Sequence, residues 1–193
     1  MKFPLRITFA GLSPLPACLV AMLAAVSAAT AATVLDTNGV SLLRLLTTNL
    51  NGSGIRLAQP EASSDTNVLD FEIYVDDVNV SQPAGLVTYE SSLGSATNYP
   101  NGIGAYSGHA TVVARYLFGR TFGVATNPAS VDNYDADHFI SKFIFTNPPP
   151  HPGAPIVNQS FTFGPLSLPD QQFVDSAYDD SAAADRKSTR LNS

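Results

Sequence analysis

The 193-residue chain contains one cysteine, Cys18, and no tryptophan. Cys18 sits inside an apolar N-terminal run, and a chain that loses that run has no thiol, neither for a disulfide nor for a thiolate metal site. Basic residues are scarce: ten Lys and Arg stand against sixteen Asp and Glu, for a formal net charge of −6. Nucleic-acid binding rests on neutralising phosphates, so this balance argues against a nucleic-acid partner. Internal repeats, heptads and the spacing of a calcium loop are also missing. Asp76-Asp77 and the set Asp132, Asp135 and Asp137 have the chemistry to hold a hard cation, but are read as solvated loop carboxylates. No metal site or cofactor is expected, and calcium at Asp76, Asp77 or Glu90 stays an open question.

The N-terminus is read as a targeting segment. Lys2 and Arg6 precede an Ala-rich apolar stretch at 15–29, interrupted by Pro16 and Ser27, and Ala29-Thr30-Ala31 fits the Ala-x-Ala cleavage pattern. Residues 1–31 are therefore expected to be a signal peptide, with the protein secreted or otherwise extracytoplasmic. The stretch is short for a permanent membrane span. Pro16 and the apolar residues after Cys18 argue against lipid modification there. At the other end, 185–193 (DRKSTRLNS) matches one reading frame of a common sequencing adapter, and its three basic residues follow an acidic stretch. It is read as an artefact, which leaves 32–184 as the part that folds.

Between these ends, hydrophobic spacing predicts alternating elements. Val40, Leu43, Leu46 and Leu50 suggest a helix over 39–50, followed by a turn at Asn51-Gly52-Ser53-Gly54. Strands are predicted at 55–58, ending at Pro60, and at 71–75, with another possible at 86–89. Val112, Val113, Tyr116 and Leu117 lie three, four, seven and eight positions after His109, one stripe of a helix bracketed by Gly108 and Gly119. A second helix is predicted over 132–145, closed by Pro148, Pro149 and Pro150, then a strand over 156–163. Asp170 is expected to cap a last helix carrying Phe173, Val174, Ala177 and Tyr178. Such alternation predicts an α/β fold, a parallel sheet with helices on both faces.

Several segments resemble the subtilisin-like serine proteases, the subtilases. Residues 107–114 (SGHATVVA) resemble their histidine motif G-H-G-T-H-V-A-G: Gly108, His109, Thr111, Val113 and Ala114 agree, whereas Ala110, Val112 and Arg115 depart. Residues 51–63 (NGSGIRLAQPEAS) resemble G-x-G-V-x-V-A-V-I-D-T-G, with Gly52, Gly54, Ile55, Leu57 and Ala58 matching and Glu61 at the place of the aspartate. Gly123-Val124-Ala125 resembles G-V-A-P, and 156–164 (IVNQSFTFG) resembles the substrate strand V-I-N-M-S-L-G-G. The last helix falls where the family has A-V-D-K-A-V-x-x-G.

The resemblance implies the N-terminal half of a subtilisin-like catalytic domain over 32–184. The fold is then incomplete, because the family's oxyanion asparagine and G-T-S-x-A-x-P nucleophile motif come after the helix that ends this chain. It also implies a secreted serine endopeptidase acting on peptide or protein substrates. His109 is its expected base, Glu61 the carboxylate that fixes the histidine tautomer, and Ser160, Phe161 and Thr162 the substrate-pairing strand. Asp65 is an additional carboxylate candidate. Without the nucleophile the 193 residues are expected to be inactive. Glu61, Ala110 and Val112 also fit an alternative, a catalytically inactive subtilase-fold extracellular binding or structural domain. A sedolisin-like acid peptidase draws on Glu61 and Asp65, but that family does not use a histidine such as His109.

Overall fold

A computed structural model describes residues 34–64 and 67–191. The expected signal peptide and Asp65 lie outside the described residues. After two short helices, α1 (Val34–Thr37) and α2 (Val40–Leu46), the Asn51–Gly54 turn delivers β1 (Arg56–Glu61). Then come β2 (Val87–Ser91), β3 (Gly94–Ala96), α3 (Gly108–Leu117), β4 (Ser130–Asp135), α4 (Ala136–Phe139), a π-helical turn (Ile140–Ile144), β5 (Ile156–Val157) and α5 (Leu168–Leu191). The strands form one sheet in the order β3-β2-β4-β1-β5. β1 pairs in parallel with both β4 and β5, and β2 pairs in parallel with β4. The sheet is mixed rather than purely parallel, as expected from the sequence, because β3 folds back antiparallel on β2 through a tight turn between Ser91 and Gly94.

Side chains alternate across a strand, and here both faces are buried under helices. On one face Leu57, Val87, Tyr89 and Val131 meet Ala110, Ala114 and Phe118 from α3 and its end, together with Phe71, Ile73, Val75 and Val80. On the other face Ala58 and Tyr134 meet Phe139, Ile140, Phe143 and Ile144, with Ala177 and Tyr178 of α5 packed against them. The protein is therefore an α/β fold with helices on both faces of its sheet.

Five predicted elements differ, each for a physical reason. The helix expected over 132–145 begins only at Ala136, because 130–135 is the central strand β4. Central strands are usually apolar, whereas β4 buries Asp132, Asn133 and Asp135, each satisfied by a partner distant in sequence or by the next helix. Pro60 does not end β1, which continues to Glu61. Ala58 accepts a hydrogen bond from the Asn158 amide on the β5 side, so Pro60, two residues on, faces that same side. The next bond of that ladder would need an N–H that Pro60 lacks. The same absence accounts for β5 stopping at Val157, well short of the expected 163.

Residues 71–75 are extended but form no ladder beyond a single bridge, Glu72 to Tyr106. Glu72 makes that bridge by donating to the Ala105 carbonyl and accepting from the Ser107 amide, whereas the next two amides go to side chains, Ile73 to Asn133 Oδ1 and Tyr74 to Thr111 Oγ1. Finally, Ser167 rather than Asp170 caps α5, its Oγ accepting from the Asp170 amide at 3.4 Å and donating to the Asp170 carboxylate at 2.5 Å.

Glu72 is buried with one carboxylate oxygen, Oε1, lacking a partner. Burial raises its pKa above the ordinary value of 4.5, and a hydrogen bond from Asn101 opposes the rise. Burial likewise raises Glu61 and Asp135, whereas Arg115 holds Asp77 low. A raised carboxyl contributes stability that is complete below its unfolded value and is lost as pH rises through the folded value. Asp77 has the opposite sign: its contribution is present above 3.8 and is lost as pH falls through its lowered value. We therefore expect Glu72→Gln to stabilise the protein by on the order of 1 kcal/mol at about pH 8 and to change little at about pH 4. Thermal melts of the two proteins at both pH values test this, and an equal shift at both would refute it.

Candidate active site

The C-terminal end of β1 and the N-terminus of α3 meet at a carboxylate and a histidine. Ser107 caps α3, its hydroxyl accepting from the Ala110 amide at 3.2 Å. His109 thus stands in the first turn of the helix. Its Nδ1 lies 2.8 Å from Glu61 Oε2, although the two residues are 48 apart in sequence. Burial is uneven across the pair: the Glu61 side chain is 1% exposed and that of His109 60%. The carboxylate is a fixed internal anchor, and the imidazole reaches from it into solvent.

Desolvation raises the Glu61 pKa, and hydrogen bonds from His109 and Gln59 work against that rise. Gln59 donates through Nε2 to Glu61 Oε1 at 3.0 Å and to the Ala110 carbonyl at 2.9 Å, which clamps the strand to the helix. The positive end of α3 also favours a negative charge at Glu61. With Glu61 ionised, the Nδ1 hydrogen points to it, and the lone pair of the neutral ring falls on Nε2. Among the described residues no hydroxyl bonds His109. The arrangement can hold one tautomer of a histidine, stabilise its protonated form, and so take a proton from a nucleophile presented to Nε2.

No family model, curated protein or solved structure matches this chain. The subtilase resemblance therefore rests on this chain's own residues and on where they come together. Residues agreeing with the histidine motif have structural tasks: Thr111 Oγ1 accepts from the Tyr74 amide and donates to the Ser107 carbonyl, and Ala114 packs in the core. Arg115, which departs from the motif, binds Asp77 through Nε at 2.9 Å and through its terminal nitrogen at 2.6 Å. Val112, another departure, is 42% exposed.

The two glycine-containing segments touch. Gly52, at φ 83°, packs so closely on Ala125 that an added Cβ would lie 2.7 Å from the Ala125 Cβ. Arg44 of α2 closes the contact by donating to the Gly123 and Val124 carbonyls.

Ser160, Phe161 and Thr162 are not in a strand, contrary to the sequence expectation. Ser160 Oγ accepts from Asn158 Nδ2 at 2.9 Å, and Phe161 packs with the cluster on the sheet face opposite His109. Among the described residues nothing hydrogen-bonds them to the Glu61–His109 pair. The acidic residues expected in loops are largely committed, two of them within strands: Asp77 to Arg115, Glu90 of β2 to Lys142 and Asp132 of β4 to Arg56. No group of three metal-binding side chains occurs among the described residues. No helix among them is long and apolar enough to cross a membrane.

Gln59 went unread in the sequence, and Asp135, expected with Asp132 to be a solvated loop carboxylate, is instead buried in β4, as Asp132 is. Gln59 carried a usable signal, a polar residue two positions before Glu61 in a strand and therefore on the same face. Asp135 lies in register beside Glu61 at the end of β4 and caps α4 through the His138 amide. Its carboxyl is pushed up mainly by burial.

Proposed function

We propose that this chain carries the base and the orienting carboxylate of an exported, subtilase-type serine endopeptidase, with its nucleophilic serine outside these 193 residues. The single observation that carries the reading is the 2.8 Å contact between His109 Nδ1 and a buried Glu61. A serine hydrolase needs a carboxylate on the far nitrogen of a histidine whose near nitrogen is free. Support also comes from placement, since the pair joins the C-terminal end of a central parallel strand to the start of a helix packed on the sheet. Glutamate can replace aspartate in this role because the role requires charge and reach, not a particular chain length. Its extra methylene extends the carboxylate by about one bond, and Gln59 and the helix end take up that reach. In this proposal Ser160 to Thr162 bind peptide substrate only if the segment straightens in a longer chain.

A second reading is a catalytically inactive subtilase-fold domain that binds or supports other extracellular molecules. Exposed Val112, in place of the motif's second histidine, favours it. The two readings part on a clone extended through the natural gene. Covalent labelling by a serine-directed fluorophosphonate, on a serine in a G-T-S-x-A context, is the expected result. A complete gene with no such motif and no labelling would leave only the inactive domain.

A further inference from the structure

Residues 74–106, between the two members of the pair, build a concave surface of their own. Tyr74, Tyr99 and Tyr106, with Asp76 and Pro100, line an open cleft of about 690 Å³. The Tyr74 and Tyr99 rings lie 5.5 Å apart at 45°, and Tyr106 stands edge-on to Tyr74 at 6.4 Å and 87°. Tyr74 and Tyr106 are 38% and 51% exposed, so their rings are open to a ligand from water.

The walls are held in place from behind. Tyr74 is tied through its amide to Thr111, Tyr106 sits at the bridge to Glu72, and Tyr99 packs on Tyr89, whose hydroxyl donates to the Ile73 carbonyl. Arg115 lies within electrostatic reach of Tyr106, but it is paired with Asp77. Asp76 is exposed at the rim with no ion-pair partner among the described residues, and the Tyr99 pKa is raised first by burial and then by the charge of nearby Glu72. Pro100 is the one aliphatic side chain lining the cleft, against three tyrosines and a carboxylate.

We propose that this cleft binds the cationic side chain, lysine or arginine, of an extended peptide. The ring faces attract a cation through their quadrupoles, and Asp76 supplies the opposite charge where the side chain enters. An apolar side chain would gain ring contact but leave Asp76 without a partner. The binding claim stands apart from hydrolysis. Only its consequence for cleavage rests on the endopeptidase reading: the cleft borders Gly108, where an added Cβ would lie 3.6 Å from the Tyr106 hydroxyl, so it would select a basic residue close to the scissile bond.

Calorimetry on the full chain tests the binding, using a short capped peptide with a central lysine and the same peptide with norleucine. Tyrosine emission gives a second readout, because the chain has no tryptophan to mask it. The lysine peptide is expected to bind saturably, and the norleucine peptide about fivefold more weakly or worse. Tyr106→Ala and Asp76→Asn, both at exposed positions, should each weaken the lysine peptide about two- to fivefold without altering the far-ultraviolet circular dichroism. Equal binding of the two peptides, no binding of either, or unchanged binding by the double variant would each overturn the proposal. These measurements do not depend on a nucleophile, so their failure is distinct from a failure of fluorophosphonate labelling.

Discussion

His109→Ala in an extended, active clone should lower kcat by about a thousandfold or more, with KM changed little. In the proposed reading the substitution removes the base that takes a proton from the nucleophile, and that contribution is made in the transition state. Glu61→Gln is the more informative variant. It keeps the size of a buried side chain, but it replaces the charge that fixes the Nδ1 hydrogen. Its amide nitrogen can turn toward His109 and favour the wrong tautomer, so a loss of about 10³–10⁴ in kcat is expected. Glu61→Asp should recover part of that loss, since it restores the charge but draws the carboxylate back by about one bond. Steady-state kinetics with a peptide substrate distinguishes the cases. Unchanged turnover in Glu61→Gln would make Glu61 a structural acid and remove the observation on which the proposed function stands.

Asn133→Ala should cost about 2–4 kcal/mol of folding stability, a large fraction of what a domain of this size has. Asn133 is fully buried in β4, with Oδ1 accepting from the Ile73 amide at 3.1 Å and Nδ2 donating to the Gln59 carbonyl at 3.0 Å. It joins the extended 71–75 segment to the sheet beside the strand that carries Glu61. Alanine leaves the Ile73 N–H buried with no acceptor and opens a small void. Asn133→Asp would keep the acceptor but lose the donor and place a charge against a carbonyl, so it should not rescue the protein. Urea unfolding measures the cost, and amide exchange locates it: exchange at Ile73 should accelerate more than at Tyr74, whose amide Thr111 holds. A loss under about 0.5 kcal/mol would show that the 71–75 segment docks through its apolar side chains alone.

Legibility in the sequence followed how local the physics was. α3 was readable because its stripe, its preceding Ser107-Gly108 and its following Gly119 all act within a few residues. The Asn51–Gly54 turn was readable because Gly52 and Gly54 take positive φ, which other residues adopt reluctantly. β4 was not. Its run Ser-Val-Asp-Asn-Tyr-Asp lacks the apolar character of a central strand, and it is buried because Arg56, the Ile73 amide and the start of α4 satisfy its polar groups. β5 was over-read for a related reason, since its length is set by Pro60 on a neighbouring strand almost one hundred residues earlier.

The candidate site divides the same way. The sequence by itself determined that His109 opens a helix and that Glu61 follows a strand, at the place where the motif it resembles has an acid. Those statements follow from short-range periodicity and from the order of residue types. Only the tertiary structure decided that the two side chains meet at 2.8 Å, that Glu61 is buried while His109 is exposed, and that Gln59 links the strand to the helix. It also decided that Ser160, Phe161 and Thr162 lie apart from the pair. A distance between residues 48 apart depends on the register of β1 with β4 and on the packing of α3 against the sheet, and no local pattern encodes either.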